Sequence, residues 1–395
     1  MESFPPWPHF GPDEIEATAT VLRSGKINAW TGEETGRFEK AYAAYLGVPH
    51  AIALANGTLA LELALHALGI GPGDDVLVTP RSYVASATCV ALCGARPVFA
   101  DVDLDSQNVT VATLRAALTP STRAVIVVHL AGWPCDMPAI MKFAREHSLK
   151  VIEDCAQAHH AGIEVDGHMQ LAGSFGDVGC FSFCQDKILS TGGEGGLFVT
   201  RDEALWRKAW AYKDHGKSYE AVFERQHPPG FRWVVEGFGS NWRLTEFQSV
   251  IGRIQLGKLP EWSDRRNGNA KILQEAIARI PGIRCPVPPA EVRHAYYRAY
   301  AFVEPEKLRP GWNRERILKE VGAAGFPCFV GSCPEIYLEK AFIDHGFAPA
   351  ERLPNAKLLE ESSLAFLVHP TIDDDTMRRY SNAAGRVLQD AMTLP

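Results

Sequence analysis

No apolar run in the 395-residue chain approaches the ~18 residues that a membrane-spanning helix needs; the longest, such as Ala124 to Val128, are strand-sized. No membrane partner is expected. Basic blocks are missing too: 40 Lys and Arg stand against 47 Asp and Glu, a formal net charge of −7, so nucleic acid is not an expected partner. The opening MESFPPWPHFGPDEIE is acidic and proline-rich, with no apolar stretch, and no secretory leader is expected. The nine cysteines (Cys89, Cys93, Cys135, Cys155, Cys180, Cys184, Cys285, Cys328, Cys333) include no C-x-x-C pair. An odd number scattered through apolar stretches suits reduced, buried thiols in the cytoplasm better than disulfides or zinc. Internal repeats and low-complexity tracts are absent. So is a G-x-G-x-x-G after the first apolar strand, which argues against a nicotinamide-binding Rossmann enzyme.

What is present is an ordinary globular composition, 46% hydrophobic and 22% charged, with enough length for two or three domains. Seven apolar runs read as strands: AIALA (51–55), DVLVTP (75–80), PVFADVD (97–103), AVIVVHLAG (124–132), KVIEDC (150–155), VGCFSFC (178–184) and GGLFVT (195–200). Helical spacing separates several of them, at LALELALHAL (59–68), 86–93 and 137–147. Strands alternating with helices predict an α/β fold, a mainly parallel seven-stranded sheet flanked by helices. After Thr200 the pattern changes. Residues 213–237 read as a long functional loop, and a helix from about Leu244 runs through QSVIGRIQLGKL to a break or bend at Pro260. These features predict a large domain at 12–262 and a smaller α+β domain at 263–395.

Open α/β sheets bind ligands at the carboxyl ends of their strands, and four features stand there. Asn56-Gly57-Thr58 opens a helix, as either a phosphate cradle or a plain turn and cap. Tyr83 either stacks on a planar ring or packs. Asp154 either holds a proton on a heteroaromatic nitrogen or caps a turn. Lys187, 33 residues after Asp154, follows a buried strand and precedes STGGEGG, as either a carbonyl-trapping nucleophile or a lysine reaching to solvent. Each alone is ambiguous; together they form the set that pyridoxal 5'-phosphate requires.

Several stretches carry a family resemblance. SGKINAWTGEETGRFEKAYAAYLGV, ALANGTLALELALHALGIGPGDDVLVTPRSYVASA, GARPVFADVD, VHLAGWPCDM, VIEDCAQAHHA, GSFGDVGCFSF, DKILSTGGEGG and GSNWRLTEFQSVIGRIQLGKL resemble the DegT/DnrJ/EryC1/StrS sugar aminotransferases. The resemblance runs from about residue 12 to 265 and more loosely to the C-terminus. It implies a fold-type I pyridoxal-phosphate enzyme, a homodimer with shared active sites. It assigns Gly57, Thr58 and Ser182 to the cofactor phosphate and Tyr83 to the ring face. Asp154 falls to the ring nitrogen, Gln157 to the ring hydroxyl side and Lys187 to the covalent link with the cofactor. Asn241 matches the asparagine that reaches the partner's phosphate.

Glutamate is the usual donor in such enzymes, passing its amino group through the pyridoxamine 5'-phosphate form to a keto sugar by a ping-pong route. A dehydratase branch carries His at the lysine position, so Lys187 favours transamination over dehydration; a non-catalytic regulatory protein needs no such lysine. The chain departs from the frequent P-T-K with Cys184-Gln185-Asp186-Lys187. FCQDKILSTGGEGG, with KDHGKS and the FRW loop, is most similar to the branch that makes 8-amino-8-deoxy-Kdo for lipopolysaccharide. The commoner acceptors are nucleotide-linked 3- or 4-keto-6-deoxyhexoses. Lys213, His215, Lys217, Arg232 and Arg243 offer positive charge to an anionic acceptor. Trp30, Thr31 and Arg243 are candidates for clamping glutamate. His159 or His160 is expected near the cofactor, His294 in core packing, and no metal site is expected.

Overall fold

A computed structural model of the chain describes residues 4–226 and 233–392. Helices α1 (Pro12–Ser24) and α2 (Glu34–Leu46) come first, and neither stands out in the sequence. Strands and helices then alternate: β1 (His50–Leu54), α3 (Gly57–Leu68), β2 (Asp75–Val78), α4 (Ala85–Leu92), β3 (Arg96–Phe99), α5 (Val111–Ala117), β4 (Thr122–Val128), α6 (Met137–Glu146) and β5 (Lys150–Asp154). A hairpin, β6 (Gly162–Val165) and β7 (His168–Leu171), precedes β8 (Val178–Ser182) and β9 (Gly196–Thr200).

All seven expected strands lie in one sheet, in the order β1-β9-β8-β5-β4-β2-β3. Only β9 runs antiparallel to its neighbours. Consecutive side chains feed opposite cores. Val76, Val78, Ile126 and Val128 join α3 and α4 on one face, while Leu77, Val125 and Val127 join Ile140 and Phe143 of α6 on the other. Burial on both faces is why these strands read as unbroken apolar runs.

Downstream come α7 (Glu203–Lys213), α8 (Tyr219–Phe223) and α9 (Glu246–Ile277). The expected loop at 213–237 is therefore partly structured: Ser218 caps α8, and Lys217 bridges to Val235. Of the expected break or bend at Pro260, the break does not occur, because α9 spans 32 residues through it. Proline forfeits one internal hydrogen bond there. Burial of Val250, Leu256, Leu259, Ala270, Leu273 and Ile277, with α1, α2 and the C-terminal helix Asp374–Ala391 packed along it, outweighs that loss. Residues 262 and 263 both lie within α9.

The remaining elements are β10 (Ile283–Arg284), β11 (Val292–Arg293), β12 (Ala299–Val303), α10 (Arg314–Ala323), α11 (Lys340–Asp344), α12 (Pro354–Ser362), β13 (Ser363–Phe366) and α13 (Asp374–Ala391). Strands β10-β12-β13 form an antiparallel sheet. Met377, Tyr380, Ala384 and Leu388 of α13 pack on it at helical spacing. Strand β11 instead joins β6, tying the later chain to the hairpin beside the large sheet. All nine cysteines are free. Among the described residues, no helix is long and apolar enough to cross a membrane.

Candidate active site

A cavity of about 560 Å³ opens at the carboxyl ends of the parallel strands, and Gly57, Thr58, Tyr83, Asp154, Gln157, Ser182 and Lys187 all line it. Gly57 is the first residue of α3, and β8 passes so close that a Cβ at 57 would sit 2.6 Å from the Ser182 Cβ. Glycine is what brings the helix N-terminus against the Ser182 hydroxyl. The Asn56 side chain accepts the Leu59 amide at 2.9 Å, leaving the Gly57 and Thr58 amides, which a helix cannot pair internally. With the positive end of the α3 dipole they make an anion cradle.

Ser182 is fixed from behind. Its carbonyl accepts from His159 Nε2 at 2.9 Å, and Tyr42 donates to His159 Nδ1 at 2.7 Å. Burial pushes His159 down to about 4, so it is neutral, with the proton on Nε2 as these partners require. His159 is thus a brace for the cradle. His160 instead contacts Tyr45 and Arg293.

Asp154 ends β5 and is buried. Its Oδ2 accepts from Ser86 Oγ at 2.7 Å, Ser86 is bonded in turn to Ser82 at 2.9 Å, and Oδ1 accepts the Ala156 amide at 3.1 Å. Gln157 Oε1 accepts the Ala131 amide at 2.7 Å, and its Nε2 lies 3.5 Å from Ser332, a residue of the later chain. Tyr83 is 68% exposed, a flat ring left open at the cavity mouth. The Lys187 backbone is held by the Trp7 indole, which donates to its carbonyl at 2.8 Å, and by a bond from its amide to Cys184 at 3.0 Å. Its Nζ lies 3.6 Å from Asp186 Oδ1 and 5.2 Å from the Tyr297 ring centre.

Trp30, Lys213 and Arg243 are not in this cavity. They gather with Lys217 around the fully buried Asp214, at 2.9 Å from Trp30 Nε1, 3.7 Å from Lys213, 2.7 Å from Arg243 and 3.0 Å from Lys217. The cluster adjoins the cradle through the backbone, since Leu54 pairs with Arg243 and the Ala55 amide donates to Trp242. Asn241 is exposed and pairs with Asp214 only through the backbone; His215 is exposed beside it. Thr31 bonds back to the Asn28 carbonyl. Arg232 lies outside the described residues.

His294 stacks on Tyr296 at 3.9 Å and accepts its amide, with burial pushing it down to about 3, so core packing is its place. His129, Glu153 and Cys155 cluster in a metal-like triangle. Glu153, however, accepts the amides of Gly173, Phe175 and Gly176 at 2.7–2.8 Å and the His129 ring at 3.0 Å, while His129 Nδ1 accepts the Cys135 amide. The lone pairs that a metal would need are engaged in holding the loop before β8.

Sequence reasoning did not mark Ser82, Ser86, Tyr42, Trp7 or Tyr297. None has a local signal: Ser86, Tyr42, Trp7 and Tyr297 act on residues far along the chain, and Ser82 acts through Ser86. Asp186 had one, as the departure from P-T-K.

Residues 8–383 match the DegT/DnrJ/EryC1/StrS aminotransferase family. The chain belongs to this family. An aminotransferase from Psychrobacter cryohalolentis shares 49% identity and a TM-score of 0.95, covering 98% of this chain and 99% of that one. The spore coat polysaccharide biosynthesis protein SpsC of Bacillus subtilis is 34% identical over 97% of this chain and 96% of its own length. A UDP-N-acetyl-3-dehydro-alpha-D-glucosamine 3-aminotransferase of Acidithiobacillus ferrooxidans is 41% identical over 73% of this chain and 74% of its own. The protein is thus a pyridoxal-phosphate-dependent sugar aminotransferase of the DegT/DnrJ/EryC1/StrS family. The cavity fits that cofactor: an anion cradle at α3, a buried carboxylate at Asp154 and an amine at Lys187 stand around one space.

Proposed function

We propose that the enzyme moves the amino group of L-glutamate onto 8-keto-Kdo, giving 8-amino-8-deoxy-Kdo, by a ping-pong route through pyridoxamine 5'-phosphate. The observation that carries the transaminase reading is the single cavity holding Gly57, Thr58, Ser182, Asp154 and Lys187. The cofactor, when bound, supplies an electron sink for the substrate carbon. Gly57, Thr58 and Ser182 bind its phosphate. Tyr83 covers one ring face, Gln157 flanks the ring hydroxyl, and Asp154 holds the proton on the ring nitrogen. Lys187 carries the cofactor between turnovers and, once free, moves the proton to and from the substrate carbon.

The anionic acceptor is supported by the Asp214 cluster, where Lys213, Lys217 and Arg243 stand against the carboxylates of Asp214 and Glu39, three cations to two anions. We assign this cluster, with Trp30, Arg243 and the exposed Asn241 and His215, to the partner's cavity in a homodimer. The exposed Trp233, Val235 and Phe238 on the same segment support a buried contact there. We also propose that 12–262 and 263–395 act as two units sharing α9, and that the free thiols mark a cytoplasmic enzyme. The second reading is a nucleotide-linked keto sugar as acceptor, favoured by the 41% identity to the UDP-sugar enzyme.

The test is spectroscopic. L-Glutamate alone should convert the visible band of bound pyridoxal phosphate to the pyridoxamine form, and 8-keto-Kdo should restore it. Restoration only by nucleotide-linked keto sugars would transfer the assignment to the second reading. Lys187→Ala should bind cofactor without turnover, and appreciable transamination by that variant would sink the proposal.

A further inference from the structure

The residue before Lys187 is a carboxylate aimed at it. Asp186 Oδ1 lies 3.6 Å from Lys187 Nζ, while the Tyr297 hydroxyl donates to Asp186 Oδ2 and holds the side chain in place. Tyr297 is buried, its ring 5.2 Å from the same nitrogen, and the Arg298 guanidinium lies 4.5 Å over that ring. The arrangement joins two distant pieces of chain, the loop after β8 and the approach to β12.

We propose that Asp186, aimed by Tyr297, is the counter-charge that holds the proton on the Lys187 nitrogen while that nitrogen carries the cofactor. The inference rests on the transaminase reading above and adds a residue to it. Tyr297 is a positioning residue; Asp186 acts on the reacting atom directly.

The other groups around Nζ do not supply this charge. Asp154, Cys184 and Glu194 line the same cavity, and among the described residues Asp186 is the carboxylate at ion-pair distance from Lys187. Among the described residues Asp154 is not at ion-pair distance from Nζ, and its charge is assigned above to the ring nitrogen. Burial pushes the Cys184 thiol up, so it stays neutral, and His159 is neutral as well. Arg298 is a cation that acts on Asp186, and Arg266 is a cation beside Trp7 and the Tyr297 carbonyl. Asp186 itself stays ionised. Burial pushes its carboxyl up, but Lys187, the Tyr297 hydroxyl and Arg298 outweigh that and leave it below the ordinary value. Burial raises Tyr297, which therefore remains a donor.

A proton held on the linked nitrogen would make the adjoining carbon a better target for the incoming amine of the donor, the entry step of the half-reaction that takes up the amino group. The size of the effect follows from the geometry. The Asp186 side chain is 49% exposed, so the pair at 3.6 Å is screened as in water. That corresponds to a shift of about one pH unit.

The experiment is a pH titration of the visible band of the cofactor-loaded protein, in wild type, Asp186→Asn, Asp186→Glu and Tyr297→Phe. Asp186→Asn should lower the pH midpoint by about one unit, Asp186→Glu should restore most of it, and Tyr297→Phe should lower it by less. Should the asparagine variant misfold, the Tyr297→Phe and Asp186→Glu midpoints decide the matter. Midpoints unchanged across these variants, in protein that still shows a Lys187-dependent band, would overturn this inference and leave the transaminase reading standing. Wild type without any such band would overturn both.

Discussion

Asp154 reaches the cavity with its oxygens already engaged, Oδ2 by Ser86 at 2.7 Å and Oδ1 by the Ala156 amide at 3.1 Å. These bonds aim the carboxylate without neutralising it, so its charge remains available to a ring nitrogen. Asp154→Asn keeps the shape and loses the charge. We expect kcat to fall by roughly 10²–10⁴ with cofactor still bound, the span for losing proton control at a reacting group. Ser86→Ala leaves the charge and removes one aiming bond, and should cost only about tenfold. Steady-state kinetics of the two variants checks the order; an equal loss in both would mean that orientation matters more than charge. Lys187 and Asp154 were legible in the sequence because each stands at the end of an apolar strand. Their supports were not. Ser86 lies 68 residues from Asp154, Tyr42 lies 117 from His159, and Tyr297 lies 111 from Asp186. Such pairings depend on the strand order of the folded sheet, to which local spacing gives no access.

Element by element, what could be read in the sequence tracks how each segment is buried. The seven sheet strands are covered on both faces and announce themselves as apolar runs. The hairpin strands β6 and β7, four residues each and partly exposed, carry no such signal. Helix α9 shows the opposite case, a proline read as a break or bend inside a helix that continues unbroken through it, 32 residues in all. Pro260 is exposed, so it contributes little packing to offset the hydrogen bond it forfeits. Pro260→Ala should therefore stabilise the protein by roughly 1–3 kcal/mol, most of the penalty for proline inside a helix. Urea unfolding reads this directly, and kcat should not change because residue 260 lies outside the cavity. Destabilisation would mean that the proline sets a curvature that α1, α2 and α13 require.

At the scale of the whole molecule, one chain divides its chemistry between two places. Its own cavity holds Lys187 and the anion cradle, while Asn241 and the Asp214 cluster lie outside that cavity and adjoin the cradle through β1 and its backbone partners. A lone subunit would leave Asn241 exposed to solvent with nothing to bind. In the homodimer proposed above, each site takes its lysine from one subunit and Asn241 from the other. That arrangement has an arithmetic consequence. Lys187→Ala abolishes the covalent link, and Asn241→Ala should weaken cofactor binding by about 10- to 100-fold through one lost bond to a charged group. Each variant alone should be nearly inactive at limiting cofactor. Mixed in equal amounts and allowed to exchange subunits, half of the dimers would carry one variant of each kind. In those, one site loses both residues and the other regains both, so about a quarter of wild-type activity should return. Activity that stays at the level of the separate variants, after exchange has been verified, would place Asn241 in the site of its own subunit and remove the reason for sharing.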